Sequence, residues 1–227
     1  MKNHQYYLGI ELGSTRIKAV AIGEDFSPVA AGEHTWASRY ENGIWTYPLE
    51  EVWTGLRAAL APLASLEIAS LGISGMMHGY LAFDKDWNLL TPFRTWQNTT
   101  TARAAGELTA FLGFNIPQRW SIAHLYQAVL NKEEHVPNIA HITTLNAVGI
   151  GEASGMFPID SESGTYRAEM LEKLEALLAP RGYPWKLREL LPQVLRAGTP
   201  AGTLTEAGSA LLGGALSSGI PLCPPEG

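Results

Sequence analysis

The sequence contains a single cysteine, Cys223, and no apolar run long enough to cross a membrane. One cysteine excludes an internal disulfide, which favours a reducing compartment. The N-terminal residues, MKNHQYY, carry a positive charge, but no apolar core follows them, so we expect no signal peptide. Together these absences predict a soluble cytoplasmic protein.

Basic residues are also scarce. The 227-residue chain has 16 Lys and Arg against 22 Asp and Glu, and its formal net charge is −6. A surface that binds nucleic acid or an anionic membrane normally carries an excess of basic side chains. We therefore expect neither as a partner, whereas the sequence leaves a homodimer open.

Apolar residues make up 46% of the chain, enough for the core of one large or two small domains. Apolar periodicity predicts strands at residues 6–11, 17–22, 28–36, 69–74, 80–84, 139–145 and 220–223. It predicts helices at residues 49–64, 101–112, 122–130, 166–178, 187–195 and 205–217, and a loop at residues 149–160. This order predicts an α/β (mixed α+β) fold, in which helices flank a central mixed sheet.

The first candidate site is the turn between the two opening strands. Gly13, Ser14 and Thr15 form this turn, which leaves backbone N–H groups and two hydroxyls pointing to one side. Glu11 and Lys18 flank it, and both could face a phosphate–metal pair. An ordinary hairpin with a glycine turn fits the same pattern.

The second candidate site is a glycine-bounded loop between two apolar strands. It carries Met77 and His78, and the glycines on either side, Gly75 and Gly79, let the backbone approach a ligand closely. His78 can donate or accept a hydrogen bond with a polyol hydroxyl. A structural histidine in a turn is the alternative.

A third stretch places an aromatic residue and an amide before a predicted helix. The ring face of Trp96 suits the C–H groups of a sugar, and the amide of Asn98 suits its hydroxyls. Alternatively, Asn98 or Thr99 caps the following helix.

The residues around the first turn resemble a motif of the sugar kinase, actin and hexokinase superfamily. Residues 11–18, ELGSTRIK, are similar to the phosphate motif Asp-x-Gly-Thr/Ser-Thr/Ser-x-x-Lys, with Glu11 in place of Asp. The additional methylene moves the carboxylate by roughly 1.5 Å, the length of a carbon–carbon bond.

The other two stretches resemble the FGGY family of carbohydrate kinases, in particular its xylulokinase-like members. Residues 73–79, ISGMMHG, are similar to the signature Ile-Ser-Gly-Gln-Met-His-Gly, with Met76 in place of Gln. Trp96 matches the first position of a Trp-x-Asp-x-Arg motif, in which Asn98 and Thr100 replace the charged residues. Further matches at residues 153–160, 203–208 and 219–222 extend the resemblance over nearly all of the chain.

The resemblance implies a ribonuclease-H-like, actin/hexokinase-type domain and an ATP-dependent kinase that phosphorylates a sugar or polyol hydroxyl. It assigns Gly13, Ser14, Thr15 and Lys18 to the ATP phosphates and Glu11 to Mg²⁺. The sugar site would consist of Met77, His78, Trp96 and Asn98.

Residues 1–227 correspond to the sugar-binding N-terminal domain of such a kinase, without its C-terminal ATP-binding domain. In the family the general base is an Asp, expected here directly after Gly227, so no catalytic residue is assigned within the chain. We accordingly expect the isolated chain not to phosphorylate a sugar.

Two other functions remain open. One is a non-catalytic sugar-binding or interaction module on the same fold. The other is a nuclease, which needs several carboxylates around two metal ions. Glu11 and Asp84 are the obvious acidic residues at the ends of predicted strands.

Overall fold

A computed structural model describes residues 5–145, 155–196 and 198–225. The chain forms two compact units. Unit 1 consists of the described parts of Met1–Ser38, Tyr47–Met76 and Arg196–Gly227. Unit 2 consists of the described parts of Arg39–Thr46 and Met77–Leu195.

The predicted elements occur in the predicted order, and six short strands that the sequence analysis did not predict lie between them. The strands are β1 (Tyr6–Leu12), β2 (Arg16–Ile22), β3 (Pro28–Thr35), β4 (Arg39–Glu41), β5 (Ile44–Thr46), β6 (Ile68–Gly75), β7 (Gly79–Phe83), β8 (Arg94–Thr95), β9 (His141–Thr143), β10 (Ile159–Asp160), β11 (Thr165–Tyr166), β12 (Gly202–Thr203) and β13 (Pro221–Leu222). The helices are α1 (Leu49–Leu60), α2 (Ala102–Leu112), α3 (Ser121–Asn131), α4 (Ala168–Leu178), α5 (Leu187–Leu190) and α6 (Glu206–Leu211).

Unit 1 is built on a six-stranded sheet in the order β12-β13-β6-β1-β2-β3. Strands β1, β2 and β3 are antiparallel neighbours, whereas β6 runs parallel to β1 and β13 parallel to β6. Alternate residues of β1 and β2 are buried, and α1 packs against β2 and β3. The sheet is therefore mixed, as the order of elements predicts.

Unit 2 contains a three-stranded antiparallel sheet in the order β8-β7-β9. All five residues of β7 are buried, and α2, α3 and α4 contribute apolar side chains to the same core. Two short hairpins, β4–β5 and β10–β11, complete the described part of this unit. Asn42 and Gly43 join β4 to β5 with positive φ angles, as a two-residue hairpin turn requires.

Several predicted helices are shorter in the structure, among them α1, which ends at Leu60 and not at the predicted residue 64. The predicted helix at 205–217 is wrong beyond residue 211, because Gly213 and Gly214 adopt left-handed φ angles of 71° and 72°. Its predicted cap is confirmed, since the Thr205 hydroxyl accepts a hydrogen bond from the Gly208 amide at 3.0 Å. The predicted helix at 187–195 ends at residue 190, because Leu191 precedes Pro192 and is extended.

Three other boundaries also change. The helix predicted to begin at residue 166 begins at residue 168, because Tyr166 belongs to β11. Part of the predicted loop at 149–160 is strand β10, while its residues 149–154 lie outside the described residues. The strand predicted at 139–145 is limited to β9. Within the described ranges, no helix is long and apolar enough to span a bilayer.

Candidate functional site

In unit 1, the turn between β1 and β2 has the predicted position. The Gly13 amide donates to the Arg16 carbonyl at 2.9 Å, which closes the turn and leaves Ser14 and Thr15 exposed at its tip. Glu11 and Lys18 are register partners, with 3.0 Å between Oε2 and Nζ. Both side chains are roughly half exposed, so this ion pair contributes little to stability and is accessible to a ligand.

Two aromatic residues that the sequence analysis did not identify hold this turn. The Trp36 indole N–H donates to the Gly13 carbonyl at 2.7 Å, and the Trp36 amide donates to the Thr15 carbonyl at 3.1 Å. The Tyr47 hydroxyl donates to the Ser14 carbonyl at 2.7 Å. The two rings are buried, with centroids 4.3 Å apart, and burial raises the pKa of Tyr47.

These contacts determine the direction of the turn amides. In a trans peptide the C=O and N–H bonds point in opposite directions. Because the carbonyls of Gly13 and Ser14 accept from the side chains of Trp36 and Tyr47, the N–H groups that follow them point away from those rings. Successive N–H groups with a common direction form an anion-binding nest.

A cavity of about 450 Å³ lies over the exposed face of the same sheet. Gly9 of β1 and Gly72 of β6 are register partners, and a Cβ added at either would meet nothing within 4 Å. Two adjacent glycines therefore leave a groove between these strands. The residues that line the cavity are Gly9, Ile10, Glu11, Lys18, Val20, Gly72, Ile73, Ser74, Cys223 and Pro224.

The residues of unit 1 fit Mg²⁺ held together with a nucleotide rather than a metal cage. Among the described residues, no group of three or more His, Cys, Asp or Glu side chains could hold an ion. Mg²⁺ commonly takes one or two carboxylates and completes its shell with phosphates and water. Glu11 offers one half-exposed carboxylate at the cavity, for which the ion would compete with Lys18.

In unit 2, the His78 ring is half buried and lies against Gly155. Burial lowers the pKa of His78, and the charge of the nearby Arg119 lowers it further. The imidazole is therefore mainly neutral at pH 7, so it can donate from one nitrogen and accept at the other. Sequence reasoning did not identify Arg119, which lies in the segment between α2 and α3.

Trp96 is 45% exposed and lines a second cavity, of about 740 Å³, together with Arg119. An exposed indole face at a concave surface is suited to the C–H groups of a sugar ring. The cavity wall also includes small residues of α2, Ala102, Ala105 and Gly106, which leave its interior open.

Asn98 is buried and makes hydrogen bonds within the protein. Its Nδ2 donates to the carbonyls of Trp45 and Thr95, at 2.8 and 2.9 Å, and its Oδ1 accepts from the Trp45 amide at 2.8 Å. Both amide protons are used, so one acceptor lone pair remains for a ligand. The alternative role as a helix cap is wrong, because α2 begins at Ala102 with Thr101 in the cap position.

A buried polar network adjoins the start of β7. The Arg94 guanidinium pairs with Glu133, and the Tyr80 hydroxyl lies 2.9 Å from His135 Nε2. His124 stacks on the Tyr80 ring, and burial, together with the charge of Arg94, lowers the pKa of His124 to about 3. This network binds β8 to its neighbours in unit 2. No local motif marks it in the sequence.

The carboxylate of Asp84, the second acidic residue considered for a nuclease, has a structural role. It accepts hydrogen bonds from the backbone amides of Asp86 and Asn88 and from the Asn88 side chain. These contacts lower the pKa of Asp84 and stabilise the turn after β7.

Comparison with known proteins assigns the chain to a family. The model of the FGGY family of carbohydrate kinases, N-terminal domain, matches residues 6–128. The xylulose kinase of Klebsiella pneumoniae is 24% identical over 188 residues, which are 73% of this chain and 39% of that protein. The xylulose kinase of Escherichia coli (strain K12) is 30% identical over 117 residues, which are 49% of this chain and 23% of that protein.

The fold is shared with solved sugar kinases. The gluconate kinase from Lactobacillus acidophilus superposes with a TM-score of 0.78 at 16% identity, over 99% of this chain and 48% of that one. This similarity confirms the actin/hexokinase-type fold. The chain spans less than half the length of these relatives. Because the family model matches more than half of its residues, the chain belongs to the FGGY family of carbohydrate kinases, in the region of that family's N-terminal domain.

Proposed function

We propose that this chain is the N-terminal, sugar-binding part of an ATP-dependent kinase that transfers the γ-phosphate of ATP to a sugar or polyol hydroxyl. The observation that carries the proposal is the turn at Gly13–Arg16, where buried Trp36 and Tyr47 side chains bind two successive carbonyls next to an acidic and a basic side chain. An ordinary hairpin does not require two of its turn carbonyls to be bound by buried aromatic side chains.

In unit 1, the amides and hydroxyls of Ser14 and Thr15 bind phosphate oxygens, and Gly13 permits the tight turn. Lys18 adds a positive charge near the same oxygens. Glu11 would hold Mg²⁺, and the ion would supply positive charge beside the phosphates. Donors that are already oriented stabilise the charge without reorganising, which is the main contribution that such a site makes to catalysis.

In unit 2, Met77, His78 and Trp96 bind the sugar. The neutral His78 ring exchanges hydrogen bonds with a hydroxyl, Met77 contributes apolar contact, and Trp96 covers the C–H face. Asn98 offers one lone pair and otherwise holds the Trp45 backbone in place. No Asp or Glu among the described residues is assigned to this sugar site, so we expect binding without turnover by the 227-residue chain.

Calorimetry of the purified chain with MgATP, and separately with D-xylulose, D-xylose, D-gluconate and xylitol, tests the proposal. We expect His78→Ala and Trp96→Ala to weaken sugar binding about tenfold or more, without changing the affinity for MgATP. Lys18→Ala should weaken MgATP binding and leave the sugar affinity unchanged. Trp87→Ala is the matched control, because Trp87 is a similarly exposed indole elsewhere in unit 2.

Two results contradict the proposal in different ways. Sugar binding without any nucleotide binding would favour the non-catalytic module. Equal losses of sugar affinity in Trp96→Ala and Trp87→Ala would show that the cavity lined by Trp96 is not the sugar site.

A further inference from the structure

The N-terminus of α3 contacts both segments that flank His78. The Ser121 hydroxyl donates to the Gly79 carbonyl at 2.6 Å, and the Ser121 amide donates to the Gly155 carbonyl at 3.4 Å. One residue further on, the Ile122 amide donates to the Met156 carbonyl at 3.2 Å. Ser121 is fully buried, so water does not compete for these contacts.

Gly155 lies so close to the Met77–His78 loop that no side chain fits there. A Cβ at residue 155 would collide with the Met77 carbonyl and would lie 2.6 Å from His78 Nδ1. The Met77 carbonyl belongs to the backbone, so it cannot move aside cheaply. A glycine is therefore needed at residue 155 to leave space for the histidine ring.

The two contacts restrain the segment that carries the ring at two points. Ser121 anchors Gly79, the residue that follows His78, and Gly155 supports the Nδ1 side of the imidazole. Nδ1 is buried without a hydrogen-bond partner, so a ligand contact would use Nε2. Holding a side chain in one orientation before binding reduces the entropy lost when the ligand binds.

We propose that Ser121 and Gly155 are positioning residues for the sugar site, which orient the His78 imidazole so that Nε2 faces the ligand. This inference rests on the proposed function in one respect, namely that His78 contacts the sugar. The orientation of the ring is a property of the free protein, so it can be measured without any ligand.

The test uses Ser121→Ala, Ser121→Thr and Gly155→Ala in the full chain. D-xylulose affinity is measured by calorimetry, and the His78 imidazole is followed by nitrogen NMR across a pH titration. We expect Ser121→Ala to weaken xylulose binding about three- to tenfold, because binding must then restore the orientation of the ring. MgATP affinity should not change.

The imidazole signals report on position rather than stability. Burial and the Arg119 charge lower the pKa of His78, so a ring released into solvent should show a pKa closer to its ordinary value. We expect this rise in Ser121→Ala and Gly155→Ala. Ser121→Thr retains the hydroxyl and should keep the original imidazole signals and affinity.

Ser209→Ala serves as the control, because the Ser209 hydroxyl donates to the Leu216 carbonyl at the same distance of 2.6 Å in unit 1. It should reduce stability without changing xylulose affinity or the His78 signals. The inference is wrong if Ser121→Ala and Gly155→Ala leave the His78 signals and pKa unchanged. If the wild-type chain does not bind xylulose, or His78→Ala binds it normally, the proposed function fails, and the NMR comparison still decides the positioning role.

Discussion

Replacing Tyr47 with Phe removes one hydroxyl from beneath the turn at Gly13–Arg16. The hydroxyl donates to the Ser14 carbonyl at 2.7 Å, while the ring packs against Trp36 and would continue to do so in the variant. The change therefore removes the hydrogen bonds of the hydroxyl, to the Ser14 carbonyl and to the Ser38 side chain, and leaves the packing around the ring in place. Since Ser14 is at an exposed turn, its carbonyl can regain a water partner.

The expected loss of stability follows from these contacts. A neutral hydrogen bond contributes about 0.5–1.5 kcal/mol net, and rehydration of the acceptor favours the lower half of that range. For a chain of this size, about 1 kcal/mol corresponds to a decrease of roughly 2–4 °C in Tm. We further expect a loss of MgATP affinity of about three- to tenfold, because the turn amides lose part of their fixed direction.

Thermal unfolding and MgATP calorimetry on Tyr47→Phe are compared with the same measurements on Tyr166→Phe. The Tyr166 hydroxyl also donates to a backbone carbonyl, that of Pro192, at 2.9 Å, but in unit 2. Both variants should lose stability, and only Tyr47→Phe should lose nucleotide affinity. If Tyr47→Phe binds MgATP as the wild type does, the aromatic residues do not orient the phosphate site, and that part of the argument is refuted.

Further predictions concern the groove, the buried histidine and the sugar loop. Gly9→Val should fill open space between β1 and β6, so we expect an unchanged or higher Tm. MgATP binding should weaken about fivefold or more, and unchanged binding would show that the nucleotide does not occupy this groove. His124 has a pKa of about 3 in the folded state and about 6.5 in the unfolded state. Between these values the unfolded state binds more protons, so the protein becomes less stable as the pH is lowered. That loss is about 2 kcal/mol between pH 6.5 and 5, and denaturant titrations should show a flatter pH profile for His124→Leu. Arg119→Gln should raise the pKa of His78 in an NMR titration, because it removes a nearby positive charge.

Local features of the fold were predictable from the sequence. The turn at Gly13–Arg16 and the cap at Thr205 depend on residues within a few positions of each other, and both occur as expected. The end of α6 at residue 211 was not predictable, because the apolar pattern continues past it. Gly213 and Gly214 nevertheless adopt left-handed φ angles, which stop the helix. Periodicity measures which side chains would share a face and does not register where the backbone turns.

The candidate site was only partly predictable. Trp36 follows β3, whose pairing with β2 brings it next to the turn, so a correct strand register would have identified it. Tyr47 and Arg119 have no such local signal. Asn98 was assigned to the sugar from its chemistry alone, whereas packing places its amide on the Trp45 backbone.

The amino-acid sequence by itself determined which chemical groups are available: a glycine turn with two hydroxyls, a flanking acid–base pair, and a histidine between glycines. Tertiary structure decided their directions. The turn amides that follow Gly13 and Ser14 face away from Trp36 and Tyr47, and the Nδ1 side of the His78 ring lies against Gly155. Both outcomes depend on contacts between residues far apart in the chain, and such contacts arise only when the strands and helices pack together.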